Sequence, residues 1–142
     1  MSALTVQDEI EALIRSIPNT TVFVGLSSEE VIAMVKEQVN FITINFGALI
    51  KPRKGVNGIV GAAYDSNYMG FTVRCISNKE RNTRVMNQAV WDTVVGHVPA
   101  GAGEIGPVLF GGIGEISALG NPTRYAAVQS YDCLVDSDKV NL

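Results

Sequence analysis

The chain has 142 residues, enough for one domain that buries about two thirds of the surface its unfolded form exposes, so folding requires neither a disulfide nor a metal. Its formal net charge of −3 and pI near 5.1 argue against tight nucleic-acid binding through phosphate neutralisation. Only 18% of residues are charged and 46% are apolar, against about a quarter charged in a typical domain, so some apolar surface is expected to meet another subunit.

The first residues show no basic segment running into an apolar core, and no apolar run has bilayer length. The expectation is a soluble protein made in a reducing cytoplasm. Its two cysteines, Cys75 and Cys133, lie in the strand-like runs FTVRCIS and QSYDCLV and read as small core residues, because no second pair completes a zinc site.

From the N-terminus, Val6, Ile10, Leu13, Ile14 and Ile17 follow helical spacing after a cap at Thr5, and Pro18 ends the helix. TTVFVGL reads as a short strand. Ser27 and Glu30 then stand three apart, the capping-box spacing, and open a second helix from Ser28 to about Lys36. VNFITINFGA alternates Phe41, Thr43 and Asn45 against Ile42, Ile44 and Phe46, the pattern of a strand.

Residues from Gly47 to Ser66 form a long arm with four glycines and the basic cluster Lys51, Arg53 and Lys54. A connection of this length in a compact domain is expected to be functional, disordered or a hairpin arm; its basic cluster either keeps an exposed segment soluble or contacts phosphate, and the arm is expected to face a partner. NYMGFTVRCIS resumes strand character, with Met69, Phe71, Val73 and Cys75 on one face and Thr72 and Arg74 on the other.

Ser77 and Glu80 repeat the capping spacing ahead of the main helix, whose stripe is Met86, Val90 and Val94. That stripe should cover the apolar face of the preceding strand. Trp91 lies about 100° beyond Val90, at the edge of this contact, where it reaches either the core margin or a neighbouring subunit. PVLFGGIGEIS and RYAAVQSYDCLV read as two further strands joined by a turn at Asn121-Pro122. The expected fold is α+β, in the order α-β-α-β-β-α-β-β. A mostly antiparallel sheet of four to five strands packs against the N-terminal helix and the main helix, all within a single domain spanning 1–142.

Between the main helix and the last strands, Gly101 to Gly106 spell GAGEIG, the letters of a dinucleotide fingerprint. That motif works when a strand enters the glycine turn and a helix leaves it with its amides facing the pyrophosphate. Here Gly96 and Pro99 end a helix before the turn, glycines interrupt the run after it, and no acid stands about 20 residues on to hold a ribose. A glycine-rich loop leading into a bent strand is the expectation, with no cofactor.

Catalytic candidates are few. His97 is the sole histidine and falls at the end of the main helix, a position that suits a cap or surface role. Asp8, Glu9 and Glu11 sit in the first turns of a helix, as its dipole favours. Glu104 and Glu115 stand among glycines without a basic neighbour. No constellation for an enzyme or a metal site emerges.

An amphipathic helix, a short strand and helix, a strand, a long arm, a second strand written YMGFTVRCIS, a capped helix and a final β-pair ending RYAAVQSYDCLV together resemble the tail terminator proteins of long-tailed bacteriophages, including the minor tail protein U family of lambda-like phages. The resemblance runs from about Val6 to Val135 and rests on element order, size and the style of the strand sequences. It implies a structural virion protein without enzymatic activity. Such a protein forms a homo-oligomeric, hexameric ring on the tail tube, stops tube growth and presents the head-joining surface. The implied partners are the tail tube protein and a neck or head-completion protein, with no membrane; DNA passes through the lumen without specific binding. The implied location is the head-proximal end of the virion tail, after assembly in the host cytoplasm. A related fold also serves in tube and neck ring proteins, which is one alternative. A small α+β domain using the glycine-rich loops as an anion or nucleotide cradle is another, and a non-viral adaptor is a third.

Overall fold

The computed structural model describes residues 3–50, 66–108, 117–119 and 122–136. Three helices, α1 (Ala3–Arg15), α2 (Ser28–Met34) and α3 (Glu80–Val94), accompany strands β1 (Val22–Val24), β2 (Phe41–Ile50), β3 (Ser66–Ser77), β4 (Gly106–Pro107), β5 (Ser117–Leu119) and β6 (Arg124–Asp136). The strands form one mixed, mostly antiparallel sheet in the order β1-β2-β3-β6-β4, with β5 also on β6. β4 and β5 pair with different stretches of β6, and β3 occupies its other edge throughout. They therefore share one edge position, where the sequence suggests a single strand, PVLFGGIGEIS; its residues 109–116 lie outside the described residues. The fold is α+β in the expected order.

Residues alternate sides along a strand, so the odd positions of β3 and the positions they meet on β2 and β6 define one face. Met69, Phe71, Val73 and Cys75 are all buried there, with Ile42, Ile44, Tyr131, Cys133 and Val135. Two helices cover this face: α1 through Val6, Ile10 and Ile14, and α3 through Met86, Val90 and Val94. The stripe expected to cover the sheet does so. Both cysteines are free and buried.

On the opposite face α2 covers only one end. Val31 and Val35 pack on Phe41, Ile76 and Ala126, with Phe23 edge-on to Phe41 at 6.0 Å. This second core explains why Phe41 is as buried as the Ile42 and Ile44 that follow it; Thr43, on the same side, is buried as well. Beyond α2 no helix among the described residues covers this face.

Two helix starts differ from expectation. The α1 helix already runs from Ala3, so Thr5 lies within its first turn and is not its cap. Serine 77 does not cap α3 either, because its hydroxyl donates to Asn40 Oδ1 and accepts from Lys79 N; Lys79 is the cap residue and caps with no side-chain bond. At α2 the reciprocal box forms as expected, Ser27 Oγ accepting from Glu30 N and Glu30 Oε1 from Ser27 N. That helix ends at Met34, just short of Lys36.

The β2–β3 ladder carries a bulge, where Gly47 and Ala48 together oppose Gly70. A Cβ at Gly47 would stand 3.4 Å from the Gly70 carbonyl oxygen, in ordinary contact. Past the bulge, β2 and β3 lead into residues 51–65, which lie outside the described residues.

Candidate interaction surface

Of the four positions singled out as partner-facing, Lys51, Arg53 and Lys54 lie outside the described residues. Trp91 is described: half-buried on α3, it meets Tyr131 edge-on at 6.3 Å. Tyr131 stacks on Phe71 at 5.4 Å, and Phe71 meets Phe46 at 5.9 Å. The indole thus ends an aromatic row across the sheet and serves the core margin in the isolated chain. Its outer part remains accessible.

Where β2 and β3 approach residues 51–65, Tyr68 and Leu134 face each other across the open side of the sheet, 43% and 41% exposed. No helix among the described residues covers them. Val128 on the same face and Val85, Val98, Ile32 and Leu4 elsewhere are also exposed, in keeping with the charge-poor composition.

The GAGEIG loop is held by its own backbone. The N–H of Gly103 donates to Leu134 O, that of Ala102 to Pro99 O and that of Ile105 to His97 O, while Gly106 pairs with Asp132 in β4. Gly96 and Gly101 take the left-handed conformation, φ 88° and 78°, which glycine adopts at no steric cost. The Ala102, Gly103 and Ile105 amides, engaged in this way, are not turned toward a phosphate, and it is the end of α3, not a strand, that runs into the loop.

His97 gains an unforeseen partner from α1. Its Nε2 donates to Glu9 Oε2 at 2.8 Å, and Glu9 Oε1 accepts from Ala100 N at 3.2 Å. One carboxylate therefore ties the loop after α3 to the first helix. The His97 bond, then the Ala100 amide, hold the Glu9 carboxyl below its ordinary value. No sequence signal joins residues 88 apart.

The open face also carries a polar pocket of about 220 Å³ beside the β1–α2 turn, lined by Leu26, Ser27, Ser28, Thr43, Asn45, Thr72 and Arg74. Sequence alternation puts Thr72 and Arg74 on one face but cannot show that Thr43 and Asn45 lie opposite them. The ladder does, pairing Thr43 with Arg74 and Asn45 with Thr72.

Among the described residues no group of three or more histidines, cysteines or acids could hold a metal, and no helix is long and apolar enough to cross a membrane. No protein-family model matches the chain, and neither does any curated protein.

Proposed function

We propose that the chain is a structural subunit of a bacteriophage tail, a ring-forming tail terminator that caps the tail tube, stops its polymerisation and offers the head-joining surface. The single observation that carries this reading is the element order α-β-α-β-β-α-β-β, which resembles that of the terminator proteins across nearly the whole chain. Exposed apolar residues at the base of the 51–65 segment, Tyr68 and Leu134, support it, because a ring subunit must bury surface on both neighbours. The partners are then further copies in a hexameric ring, the tail tube protein and a neck or head-completion protein. Lys51, Arg53, Lys54 and the outer part of Trp91 are the contact positions. An acidic chain suits a lumen through which DNA must pass without sticking.

Inactivating the gene in its phage tests the reading. Tubes of uncontrolled length that fail to join heads are expected, with both defects repaired by the purified protein. Normal tails and normal yield of infectious particles would refute a terminator. Tubes of normal length that fail only at head joining would point to another neck ring protein.

A further inference from the structure

We propose that the pocket on the open face of the sheet is a binding site for a small oxyanion of the phosphate or sulfate class, and this does not depend on the ring reading. Two neighbouring rungs of the β2–β3 ladder form its floor, Thr43 beside Arg74 and Asn45 beside Thr72. The β1–α2 turn, Leu26 to Ser28, forms its wall, pinned to the floor because Asn45 Nδ2 donates to Leu26 O at 3.1 Å.

Three observations converge on an anion. Arg74 is half-buried and makes no ion pair or side-chain hydrogen bond among the described residues, although a guanidinium is a planar fork suited to oxyanions. Thr43 is 1% exposed and its hydroxyl has no hydrogen-bond partner among the described residues, a condition that buried polar groups seldom keep unless a ligand or water completes them. The lining holds hydroxyls, an amide and one cation but no carboxylate, so its single formal charge attracts an anion and repels a metal ion; the Thr72 hydroxyl already bonds Ser130 Oγ at 3.0 Å, which leaves Arg74 as the principal donor.

The short α2 helix is not the source of the site. The Glu30 and Val31 amides are already taken by Ser27, through its hydroxyl and its carbonyl. Glu30 is likewise occupied, accepting from Ser27 N at 3.3 Å, and is not part of the lining. The volume suits one tetrahedral ion or phosphomonoester head and is too small for a whole nucleotide, since pockets for larger ligands start at about 300 Å³. The site is also separate from GAGEIG, none of whose residues line it.

Titrating the full chain with inorganic phosphate, sulfate and glycerol phosphate, read by amide chemical shifts, tests the assignment. Saturable shifts centred on Thr43, Thr72 and Arg74 are expected, with a Kd near or below about 1 mM. Arg74→Gln should weaken binding about tenfold, and Thr43→Val should weaken it while leaving the protein folded. Arg81→Gln, on the exposed side of α3, should change nothing. A preference for the monoester over free phosphate would identify a phosphorylated group as the natural occupant, and equal affinity a free ion. Absence of saturable binding, shifts scattered over surface cations, or an Arg74→Gln variant that binds like the wild type would overturn the proposal.

Discussion

Val90 and Val85 offer a matched test of how α3 sits on the sheet, being the same residue on one helix with opposite surroundings. Val90 is fully buried in the core that α1, α3 and the sheet share, while Val85 is 57% exposed. Truncating Val90 to Ala removes two methyl-sized groups, about 1.6 kcal/mol at ~0.8 per buried CH₂. The cavity left in that core raises the total to about 2 kcal/mol. Val85→Ala should stay within about 0.5 kcal/mol of the wild type, and the better helix propensity of Ala works slightly in its favour. Trp91→Ala falls between core and surface. Half the loss of a fully buried Trp plus the Tyr131 contact comes to about 3 kcal/mol, so this variant weakens the fold as well as any partner contact. Urea unfolding followed by circular dichroism reads all three. The helix faces are wrongly assigned if Val85→Ala shifts the midpoint as far as Val90→Ala, or if Val90→Ala leaves it in place.

Three further outcomes follow from particular bonds. Because the folded Glu9 carboxyl lies below its ordinary value, its contribution is present above the unfolded carboxyl value and fades as pH falls through the folded one. Glu9→Gln should therefore flatten the acid limb of stability, by less than the roughly 1 kcal/mol of an exposed pair, and His97→Ala should return the Glu9 titration toward normal; an unaltered limb in Glu9→Gln would deny the pairing. Burial pushes the Cys75 thiol up to about 12 and the Cys133 thiol up to about 11. Native protein at pH 8 should thus react with a thiol reagent at least about a hundredfold more slowly than unfolded protein, and rapid native labelling would contradict the packing. Ser27→Ala should cost about 1 kcal/mol and speed amide exchange at Val31 and Val35 while leaving α3 unchanged. Equal acceleration in both helices would show that the box does not act locally.

What could be read from the sequence, and what could not, divides by the distance between the partners of each interaction. The Met69–Cys75 face and the Met86–Val94 stripe were legible because their signals are periodic within one element, and hydrophobic burial depends on little else. The box at Ser27 and Glu30 was legible because both its bonds close within three residues. The same spacing misled at Ser77, whose oxygen accepts from Lys79 N ahead of the helix while its hydrogen goes to Asn40 Oδ1, so the helix starts from Lys79 without it. Glu9 reaches His97 only because α1 and α3 share one face of the sheet. The pocket at Arg74 is the extreme case. Each of its residues, taken alone, is an ordinary polar position on a half-covered strand, and only the register that sets Thr43 against Arg74 and Asn45 against Thr72 gathers them. Alternation fixes the face a residue takes but not its rung, and a one-residue slip would turn Arg74 from the Thr43 side to the core. A binding site built across two strands is therefore encoded in the ladder and has no sequence motif to find.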